Sequence, residues 1–267
     1  MKVKGKVVVV TGAGSGMGRE ITLELVRRGA TVAAVDFRAE TLKETVALAT
    51  KLGGSVTPFA LDVSDLAKVA ALPALVAKAV GPVDGLINNA GIIQPFVHVD
   101  KLDWKDVEKV MAVNFFGPVA LVKAFLPGLK KRPEAHILNV SSMGAYAPVP
   151  GQTVYGASKA AIKLFTEGLR SELMETNVGV TIVFPGSIAT NIAANSGMGD
   201  MKVDAAEAAK FKTTPAPVAA TAMVDAIESN NPRITIGSDA TMMDRLSRLN
   251  PVMAANIIYK QMKSLLG

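Results

Sequence analysis

Near the N-terminus four valines, Val7 to Val10, run straight into Thr11-Gly12-Ala13-Gly14-Ser15-Gly16-Met17-Gly18 and then into a segment of helical period that stops at Gly29. No other stretch restricts the fold as strongly. Consecutive β-branched residues with no polar alternation form a strand buried on both faces, the condition of an inner strand of a parallel sheet covered by helices. The first strand is read as Lys6–Val10, the helix as Met17–Arg28 closed by Gly29, and the next strand as Thr31–Val35, ending in Asp36. Together they form a βαβ unit of about thirty residues.

The alternation continues. A helix is expected over Glu40–Leu52, a strand over Ser55–Leu61 ending in Asp62-Val63, a helix over Leu66–Val80 and a strand over Val83–Ile87 followed by Asn88-Asn89-Ala90-Gly91. Asp103–Leu129 reads as helix with a break at Gly117-Pro118, and His136–Val140 as a strand leading into Ser141-Ser142. After a helix that contains Tyr155 come a strand over Gly179–Phe184, a helix over Pro217–Ser229, a strand over Arg233–Ile236 and a helix from Thr241 onward. Strands that alternate with helices predict an α/β, doubly wound parallel sheet between two helical layers, a three-layer α/β/α single domain over 1–267. Asn191–Pro215, with weak periodicity and small residues, reads as a lid over a binding site.

Composition narrows the function. The chain has 267 residues, 49% of them hydrophobic and 19% charged, enough for a large core. It contains no cysteine, which excludes disulfides, thiolate metal sites and cysteine nucleophiles and fits a reducing cytoplasm, the expected localisation. His98 and His136 are isolated and lack metal-ligand spacing, so no metal site is expected. No apolar run is read as a membrane span. The formal charge of +6 is spread out, and its densest cluster, Lys130-Lys131-Arg132, falls at an expected helix end where cations are favoured. Neither a nucleic-acid nor a membrane partner is expected.

Four glycines between strand and helix exceed what a turn needs. Gly12, Gly14, Gly16 and Gly18 leave backbone bare of Cβ so that a pyrophosphate can approach the amides of Ser15, Gly16 and Met17 at a helix N-terminus. Asp36, with Phe37 beside it, stands at the end of the second strand, where a carboxylate accepts hydrogen bonds from adenosine ribose hydroxyls and repels a 2′-phosphate. The expected cofactor is therefore NAD, with NADP left open; Arg38 is read as facing solvent. Asp62 and Val63 are placed to touch the adenine. Asn114 lies on an apolar helical patch and needs a partner, a carbonyl or a water. Tyr155 and Lys159, four residues apart on one helix face, aim a phenol and an ammonium into one space. A nearby cation stabilises a phenolate, so Tyr155 is expected to be acidified into a general acid/base.

TGAGSGMG, Asp62, NNAG at Asn88–Gly91, Asn114, Ser142, Tyr155 with Lys159, and Pro185-Gly186 with Thr190 occur in an order and spacing that resemble the short-chain dehydrogenases/reductases over Lys6 to about Ile236. The resemblance implies a Rossmann-type seven-stranded sheet, NAD(P)-dependent alcohol/ketone chemistry and a tetrad of Asn114, Ser142, Tyr155 and Lys159. It assigns Ser142 and Tyr155 to the substrate carbonyl with Met143 beside them, and Lys159 also to the nicotinamide ribose. Asn114 would keep a water. Asn88, Asn89, Ala90 and Gly91 would lie along the cofactor ribose, and Pro185, Gly186, the Ile188 backbone and Thr190 near the nicotinamide carboxamide. It also implies a homodimer or homotetramer.

The chain departs from that family at about 238–267, where many members close with a short glycine-rich tail. Here a helical extension with Met242, Met243, Leu246, Leu249, Met253, Ile257 and Ile258 could pack on its own domain, line a substrate cleft or join a partner subunit. Ile93, Phe96, Met143, Tyr146, Val149, Ile192, Met198 and Met201 predict an apolar pocket and a hydrophobic secondary alcohol or ketone as substrate. The competing readings are a non-catalytic NAD(H)-binding regulator or scaffold and an NADPH-dependent ketoacyl-thioester reductase.

Overall fold

The computed structural model describes residues 1–190, 192–197 and 213–266. Most of the expected lid, with Met198 and Met201, lies outside the described residues.

Seven strands form one sheet in the order β3-β2-β1-β4-β5-β6-β9, every neighbouring pair parallel. They are β1 (Val7–Thr11), β2 (Thr31–Asp36), β3 (Val56–Ala60), β4 (Gly85–Asn88), β5 (Ala135–Val140), β6 (Val178–Pro185) and β9 (Arg233–Ile236). A second, two-stranded sheet pairs β7 (Ile188–Ala189) with β8 (Thr214–Pro215); the sequence reading did not anticipate it, and β8 falls at the end of the expected lid. The helices are α1 (Gly16–Arg27), α2 (Ala39–Lys51), α3 (Leu66–Val80), α4 (Trp104–Met111), α5 (Gly117–Leu129), α6 (Thr153–Glu172), α7 (Ile192–Asn195), α8 (Ala216–Glu228), α9 (Ser238–Leu249) and α10 (Pro251–Met262).

The valine run does what its lack of alternation requires. Val8 and Val10 enter one core with Ile21, Leu25, Leu42, Met223 and Ile227, whereas Val9 enters the opposite core with Leu72, Val76, Leu121, Phe125 and Leu169. Helices α1, α2 and α8 cover one face; α3, α5 and α6 cover the other. Strand order reverses between β1 and β4, which opens a crevice at the carboxyl ends of these two strands.

Two helical expectations change in detail. Between α4 and α5 the chain makes a π-helical turn, Ala112–Phe116, so the irregularity sits one turn before Gly117-Pro118. Pro118, in the first turn of α5, offers no N–H to the preceding turn, which agrees with the widened π-helical turn there. The path Trp104–Leu129 is thus continuous, and an 18-residue window within it has a mean hydropathy of 1.6, long and apolar enough by length and composition alone to cross a membrane, a test that a buried core helix also meets. Here Leu121, Val122, Phe125 and Leu129 are buried against the sheet. The expected C-terminal helix is two helices: Pro251 cannot continue α9, and the side chain of Asn250 caps α10 by accepting from Met253 N at 2.9 Å.

That extension packs on its own domain. Met243, Ala254 and Ile258 form a small core with Ala147, joined by Met143, Tyr146, Val149, Leu246 and Met262. The Tyr146 hydroxyl donates to Ala240 O at 2.9 Å. The segment after Ser142 is therefore backed by the C-terminal helices.

Candidate active site

The crevice at the strand reversal holds a cavity of about 200 Å³. Its lining includes Gly12, Ser15, Gly16, Met17, Gly18, Asp36, Phe37, Asp62, Val63, Asn89, Ala90, Gly91 and Thr190 of the predicted cofactor residues, together with Ile192, which was expected in the substrate pocket, and Arg38, Lys109 and Asn195, which were not predicted to line it.

The glycine turn fits a dinucleotide. Gly12 (φ 67°) and Gly16 (φ 52°) adopt left-handed conformations, and a Cβ on Gly18 would lie 1.9 Å from Gly12 O. A Cβ on Gly12 would meet Asn89 Nδ2 at 2.9 Å. Helix α1 starts after Ser15 with no side-chain cap and no acidic residue in its first turn, so its N-terminal amides and dipole are free for a phosphate. Thr11 ties this turn to the other side of the crevice: its Oγ1 accepts from Asn89 N and Ala90 N, both at 3.0 Å.

Asp36 is buried at the tip of β2, accepting from Gly14 N through Oδ2 and from Arg38 N through Oδ1, each at 3.0 Å. Gly14 itself turns away from the cavity lining, towards Thr41. Arg38 overturns its expectation. Its guanidinium stacks over the Phe37 ring, donates to Asn195 Oδ1 at 2.8 Å and to Ser15 Oγ at 3.3 Å, and stands 3.9 Å from Asp36. The bonds to Ser15 and Asn195 hold the cation over the glycine turn instead of leaving it in solvent. Asp62 accepts from Ser64 N and Oγ at the cavity edge.

Four further residues expected along the cofactor lie outside the cavity lining. Asn88 is buried and donates to Asn139 at 2.8 Å, linking β4 to β5 rather than lining the cavity. Pro185, Gly186 and Ile188 are also outside the lining. Pro185 is buried at the end of β6, Ile188 pairs with Thr214, and the bare face of Gly186 abuts the Asp239 carboxylate, which accepts from Ser187 N at 2.7 Å.

Asn114, Ser142, Tyr155 and Lys159 are likewise outside the lining and gather next to it, behind Gly91. Lys159 is buried, donates to Val140 O at 3.1 Å, and holds its Nζ 5.8 Å from the centre of the Tyr155 ring. A Cβ on Gly91 would lie 3.2 Å from Lys159 Nζ and 3.4 Å from Asn114 Oδ1, so these three meet at the cavity wall. Ser142 Oγ accepts from Gly144 N at 3.0 Å, and a Cβ on Gly144 would touch both Ser142 Oγ and the Tyr155 ring at 3.4 Å. Asn114, in the π turn, is bonded within the protein: Oδ1 accepts from Ile92 N at 2.9 Å, and Nδ2 donates to Ile92 O at 2.9 Å and to Ser158 Oγ at 3.0 Å. One lone pair of Oδ1 is left for a water.

Burial pushes the Tyr155 phenol up, partly offset by hydrogen bonding to Ser142; the expected acidification by Lys159 does not appear. Lys159 is itself pushed down to about 8 by burial, and its ammonium is directed at the Val140 carbonyl. Among the described residues no cluster of acidic, histidine or cysteine side chains could hold a metal ion.

The sequence reading missed Gln94, a fully buried side chain bonded to the start of α6. Its signal was a lone amide in the apolar run Ile92-Ile93-Gln94-Pro95-Phe96, since a buried amide needs partners.

The sequence profile described as short chain dehydrogenase matches residues 6–200. SadH of Mycobacterium tuberculosis (strain CDC 1551 / Oshkosh) is 38% identical over 252 residues, covering 92% of this chain and 91% of that protein. A short chain dehydrogenase/reductase from Burkholderia phymatum, solved in complex with NAD, superposes with a TM-score of 0.85 at 27% identity, covering 95% of this chain and 96% of its own. A short chain dehydrogenase from Burkholderia cenocepacia J2315, in complex with NADP, gives 0.80 at 28% identity, covering 97% and 99%. With the glycine turn, the strand reversal and the clustered Asn114, Ser142, Tyr155 and Lys159 already in view, these likenesses show that the chain belongs to the short-chain dehydrogenase/reductase family of oxidoreductases.

Proposed function

We propose that this oxidoreductase interconverts a hydrophobic secondary alcohol and a ketone, preferring NAD, with Tyr155 as the general acid/base. The observation that carries the reading is the grouping of Ser142, Tyr155 and Lys159 at the carboxyl edge of the sheet, with Lys159 Nζ beside Gly91, which lines the same cavity as the glycine turn.

A bound nicotinamide cofactor supplies or accepts the hydride. Ser142 and Tyr155 donate hydrogen bonds to the substrate oxygen, where negative charge develops during reduction. Tyr155 passes its proton to that oxygen, and takes one back in the oxidative direction. Lys159, buried beside the Tyr155 ring, is assigned to the nicotinamide ribose. Asn114 fixes the Ile92 segment beside these groups and keeps an acceptor for a water.

A hydrophobic substrate is supported by Met143, Tyr146 and Val149, which follow Ser142 and pack against Met243, Leu246 and Ile258. NAD preference is supported by the Asp36 carboxylate at the end of β2. The Arg38 guanidinium on the same wall favours a second reading, use of NADP through a charge pair with a 2′-phosphate. A homodimer or homotetramer is supported by Trp104, Phe116 and Leu164, large apolar side chains exposed on the α4–α6 side. The absence of cysteine supports a cytoplasmic setting.

The test is Tyr155→Phe with a panel of alcohols and ketones, followed at the nicotinamide absorbance with both cofactors. Turnover should disappear while NADH affinity stays within a few-fold of wild type. Retained turnover would remove Tyr155 from the chemistry.

A further inference from the structure

We propose that Gln94 is a positioning residue for Tyr155: it replaces the missing N-cap of α6 and fixes the backbone from which the phenol projects. The proposal rests on the reading of Tyr155 as acid/base given above.

The first N–H groups of a helix have no partner within it. Gln152, the residue before α6, makes no side-chain cap hydrogen bond. The partners come from a different part of the chain, the loop after β4. Gln94 Oε1 accepts from Val154 N at 2.8 Å and from Tyr155 N at 3.0 Å. Gln152 returns a bond, its Nε2 donating to Gln94 O at 2.6 Å. The amide of Gln94 has one orientation only, because turning it over would set its NH2 against two N–H donors. Gln94 is 0% exposed, so water cannot take over its role.

The carbonyl side of Tyr155 is anchored to the same loop. Ser158 Oγ donates to Tyr155 O at 2.7 Å and accepts from Asn114 Nδ2 at 3.0 Å, and the Asn114 side chain grips both backbone groups of Ile92. The two peptide groups flanking Tyr155 Cα are therefore tied to Ile92-Ile93-Gln94, one through Gln94 and the other through Ser158 and Asn114. That loop follows directly from Asn89-Ala90-Gly91, which lines the cofactor cavity. Gln94 thereby sets the position of the phenol relative to the cavity wall. Two atoms of the cluster, Gln94 Nε2 and Gln152 Oε1, are buried without a partner. The site is tolerated at a cost in unsatisfied polar groups, as expected where geometry is under functional demand.

The experiment compares Gln94→Met, which keeps the volume and removes the acceptor, with Gln94→Glu, which keeps an acceptor for both N–H groups and adds a charge. A misplacement of about 1 Å can cost about a hundredfold in rate. Gln94→Met is expected to lose tenfold or more in kcat, with the Kd for NADH within twofold of wild type. Gln94→Glu is expected to recover most of that loss and to move the pH limb of kcat upwards, since a carboxylate beside the Tyr155 amide disfavours the phenolate. The other ionisable groups on α6 and on the elements packed against it are Lys159, Lys163, Glu167, Arg170 and Glu172 on the helix itself, Tyr146 after the Ser142 turn, His136 on β5, and Lys105, Asp106, Glu108 and Lys109 on α4; all are common to wild type and variant.

Wild-type kcat in folded Gln94→Met would overturn the proposal, as would an unshifted pH limb in Gln94→Glu. If Gln94→Met does not fold, the Gln94→Glu limb decides. If the wild type turns over no alcohol or ketone, the acid/base reading fails separately. Tyrosinate absorbance, taken as the difference from Tyr155→Phe, then tests Gln94 directly. An upward shift of the Tyr155 titration in Gln94→Glu supports the placement, and an unchanged one overturns it.

Discussion

Lys159 Nζ donates to Val140 O at 3.1 Å while it stands 5.8 Å from the centre of the Tyr155 ring. The helix sets the spacing of the two side chains, but the strand carbonyl sets the direction of the ammonium. Lys159 is anchored to β5 as well as to α6, and burial brings its pKa down to about 8.

A stability signature follows for Lys159. Between pH 8 and 10.5 the unfolded chain holds a proton on this side chain that the folded chain releases. Stability contributed at this position therefore rises with pH across that window, and is flat below and above it. Lys159→Met lacks this term. Relative to the variant, the wild type should gain about 3 kcal/mol between pH 7.5 and 10.5, measured by urea unfolding at the two pH values. A constant difference would show that the ammonium is not desolvated.

His136 gives the opposite side of the pH scale. Burial, with the charged N-terminal amine as a lesser cause, pushes its pKa from 6.5 down to about 3. The unfolded chain binds the proton first, so stability falls as pH drops from 6.5 towards 3. His136→Gln leaves no titrating group, and a bond to Thr181, now 2.8 Å from Nε2, remains within its reach. By pH 4.5 the wild type should have lost about 3 kcal/mol more than the variant, relative to pH 7.

Ser142→Ala removes the hydroxyl proposed above to donate to the substrate oxygen, without touching the glycine turn. Loss of one such donor costs about a hundredfold to a thousandfold in kcat. NADH affinity should change less than threefold, as read by fluorescence titration. An equal loss in both quantities would place Ser142 in cofactor binding.

Arg38 and Asp36 separate the two cofactor readings. Arg38→Ala should lower kcat/KM with NADPH about tenfold and leave NADH within threefold, because only the 2′-phosphate needs the guanidinium. Asp36→Ala should weaken NADH by about tenfold through the lost ribose bonds. If wild type uses NADPH at least as well as NADH, the Asp36 preference is refuted and the Arg38 reading stands.

Gly18→Ala tests the cradle. Its Cβ would overlap Gly12 O at 1.9 Å, with the Gly12 carbon at 2.6 Å, and backbone cannot yield as a flexible side chain would. A fall in Tm of several degrees and loss of detectable NADH binding are expected, read by thermal unfolding with and without cofactor. A variant that binds NADH normally would remove the glycine turn from the site.

Legible in the residues alone were the βαβ start, the alternation into a parallel sheet, the glycine turn and the helical pairing of Tyr155 with Lys159. Each depends on neighbours within a few residues: strand burial on β-branched runs, the turn on absent Cβ atoms, the pairing on the pitch of a helix. Tertiary structure decided what distant segments do to one another. Arg38 turns inward because Asn195, 157 positions away, accepts from it, and Asn88 is claimed by Asn139 across the sheet. The Tyr155 phenol is raised because burial outweighs its neighbours, and Gln94 caps a helix that begins some sixty residues later. Periodicity records which face of an element is apolar, whereas the direction of a polar side chain is set by whichever partner the folded chain brings within 3 Å of it, roughly the length of a hydrogen bond.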